Sequence, residues 1–151
     1  MQILPSETIL RGNMEVLIDT NIILDWFLKR EDFFETAKTL LNKIWFGREK
    51  SYLTVHSICD LFYIIDKSFP TDEKKKLLQL LLSRNEIISE TKKDILSFIN
   101  NQNWNDLEDG LQMQCSENCK LDYIITRNLD DFATSKIPAI SPQDFLKMVE
   151  E

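Results

Sequence analysis

Val16-Leu17-Ile18-Asp19-Thr20-Asn21 is an apolar run that stops abruptly at an acid, a hydroxyl and an amide. Val16 to Ile18 are too few to make a helix, and two of the three are β-branched, so they read as a buried strand of a parallel sheet. Ile22, Ile23, Trp26 and Phe27 then recur at helical spacing, and the strand runs straight into a helix. In open α/β sheets ligands bind beyond the carboxyl ends of the strands, and Asp19 falls at that edge. The competing reading makes Asp19 a plain helix N-cap.

The same alternation extends outward from this junction. Two helices fill residues 22 to 46, broken near Lys29 to Asp32, the second with Phe33, Ala37, Leu40, Leu41 and Ile44 on one face. Tyr52 to Val55 is a second strand, followed by a helix from about Ser57 to Lys67. Pro70-Thr71-Asp72 starts another helix with Leu77, Leu78, Leu81 and Leu82 on its apolar side. Glu86 to Ser89 is a third strand, with helices after it at Lys92 to Asn100 and from the polar junction Asn103–Asp109 to about Asn118. Tyr123 to Thr126 and Ile137 to Ser141 supply a fourth and a fifth strand, and Pro142 sits in the first turn of a closing helix. Strands alternating with helices give an α/β fold, a parallel sheet covered on both faces. Residues 1 to 13 show no periodicity and read as an N-terminal extension.

The 151 residues, 43% of them hydrophobic, suit one domain with its own core. No apolar run approaches the roughly 20 residues of a membrane span, and a cytoplasmic protein without a membrane partner is expected. Cys59, Cys115 and Cys119 are odd in number and form no metal-ligand pattern, so buried reduced thiols are expected. With 25 acids against 18 bases the formal charge is −7, which argues against a broad basic nucleic-acid surface. An acidic metal site would itself contribute several of those charges, and substrate phosphates would then be met by a local patch or by the metal. The three glycines are scattered and form no phosphate-cradling loop. Lys74 to Lys76 read as a solvated helix face.

Acids recur at the same sheet edge. Asp60 falls on the first turn of the helix after the second strand, where Ser57 and Asp60 also match a capping box. Asp106 and Asp109 share one helix face, and Glu108 reads as the N3 partner of an Asn105 cap, without chemistry. Asp130 and Asp131 follow the fourth strand, with Phe132 as a core anchor turning Asp131 inward. Carboxylates gathered in this way raise one another's pKa unless a cation is present. Oxygen ligands with a single His in the chain suit Mg²⁺ or Mn²⁺ rather than zinc. Asp19, Asp60 and Asp109 would hold such an ion, and the reaction class is metal-dependent phosphodiester hydrolysis.

Four pieces in this order, Val16-Leu-Ile-Asp19-Thr20-Asn21 with Ile-Leu-Asp25, Ser57-x-x-Asp60-Leu61, Asp106-Leu-Glu-Asp109-Gly110-Leu-Gln and Thr126-Arg127-Asn128-x-x-Asp131-Phe132, resemble a PIN domain. The resemblance runs from Met14 to about Phe145 and is nearest the bacterial branch that includes VapC-type toxins. It implies a three-layer α/β/α sandwich with a central parallel sheet of four to five strands over residues 14 to 151, and Mg²⁺- or Mn²⁺-dependent endoribonuclease activity. Asp19, Asp109 and Asp131 match the family's acids, Asn21 and Thr126 its polar support. The chain departs from the family's pattern at Asp60, where Glu is commoner, and at Asn128, where many members carry an acid. Those departures leave a catalytically degenerate RNA- or protein-binding PIN module as the alternative function. The resemblance further implies a homodimer and, for a toxin, an antitoxin partner that inserts a segment into the acidic groove. Arg127 is the candidate phosphate contact, and Trp104 and Phe132 are read mainly as core residues, with base stacking as the other reading.

Overall fold

The computed structural model describes residues 14–100 and 106–150. Five strands, β1 (Glu15–Ile18), β2 (Lys50–Thr54), β3 (Glu86–Ile88), β4 (Tyr123–Ile125) and β5 (Ala139–Ile140), form one sheet in the order β3-β2-β1-β4-β5. Every neighbouring pair is parallel. Seven α-helices are described: α1 (Thr20–Phe27), α2 (Phe34–Trp45), α3 (Val55–Ile65), α4 (Thr71–Arg84), α5 (Lys92–Ile99), α6 (Leu107–Asn118) and α7 (Pro142–Met148). A 3₁₀ turn, Leu129–Phe132, follows β4.

The alternation within β1 explains the layering. Val16 and Ile18 point into a core shared with Ile22 and Ile23 of α1, Leu40 and Ile44 of α2, Leu61 of α3 and Phe145 of α7. Leu17 points to the opposite face and packs with Leu121, Ile124 and Phe132, with Met113 of α6 against them. The sheet is therefore sandwiched between two helical layers, and each fully buried Leu or Ile contributes about 1.5–3 kcal/mol. No described helix is long and apolar enough to cross a membrane.

Several local expectations change. The second strand ends earlier than Val55 because the Thr54 side chain accepts the Ser57 N–H at 3.1 Å and starts α3 at Val55. Ser57 is thus inside the helix, and no Ser57–Asp60 capping box forms. Phe33 lies outside α2 and is 39% exposed, and Leu82 is exposed on α4. Only Cys115 is a buried thiol, pushed up to about 12 chiefly by burial; Cys59 is exposed on α3 and Cys119 is exposed in the turn that follows Asn118. Phe132 is buried in the core, whereas Trp104 and the extension 1–13 lie outside the described residues.

Gly110 allows α6 to lie against α5. A Cβ there would stand 1.5 Å from Phe98 Cε1. Ala would gain about 1 kcal/mol of helix propensity, but displacing the buried ring costs more. Gly110→Ala is expected to lower the urea-unfolding free energy by about 1–2 kcal/mol.

Candidate active site

β1 is central, and the chain moves from it to β2 and β3 on one side before crossing to β4 and β5 on the other. The direction of winding therefore reverses between β1 and β4, which opens a crevice at their carboxyl ends. Asp19 follows β1 and Thr126 follows β4, and the two meet there: Thr126 Oγ1 donates to Asp19 Oδ2 at 2.8 Å. Thr126 is completely buried and also accepts the Asn128 N–H at 3.0 Å. Asp19 occupies the N-cap position of α1, yet its side chain makes no cap bond. At 6% exposure its carboxyl is pushed above the usual carboxylate range by burial, which the Thr126 hydroxyl and the nearby amides of Thr20 and Asn21 offset only in part.

Helix α6 supplies the next acids. Asp106 is its N-cap, with Oδ1 accepting the Asp109 N–H at 3.0 Å, so Asp106 fixes where the Asp109 side chain begins. Asp109 is pushed up to about 7 by partial burial and by the charges of Asp106, Asp19 and Asp131. A cavity of about 110 Å³ is lined by Asp106, Asp109, Asp130 and Asp131 with Met113 and Thr134. Asp131 is exposed on the 3₁₀ turn, held in register by the buried Phe132. Asp19 and Asp60 are not among the residues that line this cavity.

Asp60 stands on α3 and shares a hydrogen bond with Glu108. Glu108 is not the N3 partner of an Asn105 cap. Because Asp106 caps α6, Glu108 is the second residue of the helix and turns towards Asp60. Partial burial, Asp60, Asp19 and Asp109 push Glu108 up to about 8. Asp19 is thus felt by Asp109 and by Glu108 alike. Beneath them, fully buried Gln112 donates Nε2 to Ser57 Oγ at 2.9 Å, and Thr54 Oγ1 donates to the same hydroxyl at 2.8 Å, tying α6 to α3.

Arg127 and Asn21 lead to a residue to which the sequence alone assigns no role. Asp25 is 1% exposed and is gripped by Arg127 through Nε at 2.7 Å and Nη2 at 3.0 Å, while Arg30 Nη1 reaches it at 3.3 Å. Arg30 Nη1 also donates to Asn21 Oδ1 at 3.4 Å. The guanidinium of Arg127 lies 3.8 Å from the Phe33 ring centroid. The available signal in the sequence was an acid inside the apolar run Ile22-Ile23-Leu24-Asp25-Trp26-Phe27, where an unpaired charge is costly.

The acids present an oxygen-only donor set with too little positive charge to quiet it. Among the described residues, no three His, Cys, Asp or Glu side chains stand together as a ready-made metal cage. Mg²⁺ keeps several waters and needs only one or two protein carboxylates, so the donor set fits such an ion. The pH dependence follows from the same groups. Asp109 and Glu108 are raised from 3.8 and 4.5 to about 7 and about 8, so folding favours their protonated forms. That stability is complete below the ordinary carboxylate range and is lost as pH rises through the folded values. The melting temperature in EDTA is expected to fall from about pH 5 to about pH 8, with Mg²⁺ raising it most at the alkaline end.

A family model described as the PIN domain matches residues 15–130. Among curated protein sequences none matches significantly. A chain of a toxin–antitoxin complex from Klebsiella pneumoniae is similar in structure, with TM-score 0.62 and 24% identity, over 84% of this chain and 97% of that one. A chain of VapBC2 from Rickettsia felis, bound to a promoter DNA fragment, has TM-score 0.63 and 19% identity, over 85% and 98%. A chain of VapBC-1 from nontypeable Haemophilus influenzae has TM-score 0.66 and 14% identity, over 86% and 99%. At these identities the structures speak to the fold, a three-layer α/β/α sandwich, and the family model speaks to descent. The sheet order, the acids at its carboxyl edge and the match over residues 15–130 together make this chain a member of the PIN domain family.

Proposed function

We propose that this protein is a Mg²⁺- or Mn²⁺-dependent endoribonuclease, the toxin of a toxin–antitoxin pair. The observation that carries the reading is the desolvated carboxyl of Asp19 at the switch point of the sheet, bonded to Thr126, with Asp109 and Glu108 on a neighbouring helix raised chiefly by burial and further by the surrounding acids, Asp19 among them. Asp19, Asp109, Asp131 and Asp60 are the candidate ligands, one or two of which would bind the ion directly and the others through its waters, with Glu108 beside Asp60. A bound divalent ion supplies an acidified water and offsets negative charge on the scissile phosphate. The chain's own contribution is placement. Thr126 holds Oδ2 of Asp19, Asp106 anchors the amide of Asp109, Asn128 braces Thr126 through its backbone, and Asn21 is linked to Arg30.

The similar structures come from toxin–antitoxin complexes, which supports an antitoxin partner covering the acidic groove. A homodimer and a cytoplasmic location belong to the same reading. A second reading, a PIN module that binds RNA or protein without cutting, is favoured by Asp60, by Asn128 and by the lack of a ready-made three-ligand cage among the described residues. A pool of structured RNAs incubated with the protein in Mg²⁺, in Mn²⁺ and in EDTA separates the two. Cutting in either metal that stops in EDTA is the expected result. Intact RNA in both metals, with folded protein, supports the non-cutting module.

A further inference from the structure

The chain carries a net charge of −7 and clusters its acids at the sheet edge, so an RNA backbone needs a local cationic foothold beside them. The structure builds one around Asp25. Two residues past the end of α1, Lys29 takes φ 53, its N–H bonded to the Trp26 carbonyl at 3.3 Å and the next N–H, of Arg30, bonded to the Asp25 carbonyl at 3.0 Å. This left-handed closing turn folds Arg30 back over the last turn of the helix. Arg30 Nη1 then meets both Asp25 Oδ1 and Asn21 Oδ1, which lie one helical turn apart. From the end of β4, Arg127 reaches the same carboxylate with a two-pronged grip and lies over Phe33. The side chains of Arg30 and Arg127 remain 35% and 24% exposed, while that of Asp25 is 2% exposed.

Two guanidinium groups on one carboxylate leave a net positive charge at the surface. Asn21 is two residues from Asp19, and Arg127 is next to Thr126, so this charge sits at the rim of the acidic crevice. The buried partner matters because it holds both planar groups in fixed places, which suits phosphate recognition better than mobile lysines. We propose that Arg30 and Arg127, fixed on Asp25, form a phosphate-binding rim that seats the RNA backbone beside the carboxylates, with Asp25 as the positioning residue. This rests on the ribonuclease reading and adds to it where the strand lies.

The test is binding of a fluorescein-labelled single-stranded RNA of mixed sequence, followed by anisotropy, with Ca²⁺ present to neutralise the carboxylates and KCl varied. For a single strand, each phosphate that the protein no longer neutralises lowers the slope of log K against log salt by about 0.7. Arg30→Gln, which leaves the Asp25–Arg127 pair in place, is expected to weaken binding about tenfold at low salt and to lower the slope by about 0.7. Arg30→Lys is expected to keep most of the slope. A purely structural ion pair would leave the slope unchanged. Wild-type protein that binds RNA while Arg30→Gln and Arg127→Gln, both folded, bind with the same slope overturns the rim alone. Wild-type protein that binds no RNA overturns the ribonuclease reading, and the rim with it.

Discussion

Asp19→Asn is expected to reduce metal-dependent RNA cleavage by at least about 100-fold while leaving the fold intact or more stable. Mutating residues that only orient a metal ligand typically costs about 10–100-fold, so removing a carboxylate that holds the ion directly should exceed that range. Stability moves the other way. The carboxyl of Asp19 is 6% exposed and is pushed up by burial that its hydrogen bonds do not cancel. Asn keeps the shape and accepts the Thr126 hydroxyl through its carbonyl oxygen, but carries no charge to desolvate. Single-turnover cleavage and a melting curve in EDTA check the two halves together. Activity within a few-fold of wild type would remove Asp19 from the chemistry. A lowered melting temperature would mean that its charge is neutralised by something in the fold itself.

Asp25→Ala is expected to cost about 2–4 kcal/mol of unfolding free energy, somewhat below the loss for a fully buried pair because the outer edge of Arg127 reaches water. Three effects add: Arg127 loses both bonds of its grip, Arg30 loses its carboxylate, and a cavity opens under α1. Of the contacts that Arg127 makes with the α1 end, the stacking on Phe33 then remains. Chemical denaturation of the metal-free protein measures the loss. A change under about 0.5 kcal/mol, the size of an exposed ion pair, would show that the pair is not a structural fastener.

The acids were legible in different degrees. Asp19 could be placed at the ligand edge from residues alone, because a short β-branched run followed by helical spacing has few other readings. Asp serves both as a cap and as a ligand after a strand, and here the Asp19 side chain bonds to Thr126, 107 residues away, and makes no cap bond to α1. The role of Glu108 is not legible in the sequence because a single capping bond sets the start of a helix, and with the cap at Asp106 instead of Asn105 Glu108 faces Asp60. Asp60 was freed from its capping box in the same way, by Thr54 starting α3 three residues before Ser57 could.

The sequence by itself determined the layers, the parallel sheet and the edge at which the acids gather. These follow from periodicity, and periodicity is a local property repeated often enough to survive small errors. Tertiary structure alone decided the strand order, the crevice between β1 and β4, and the partners of each charge. Arg127 and Asp25 are 102 residues apart, and Gln112 and Ser57 are 55 apart. No local pattern specifies such pairs, because they form only when the packing of both sheet faces leaves the charged groups no cheaper neighbour.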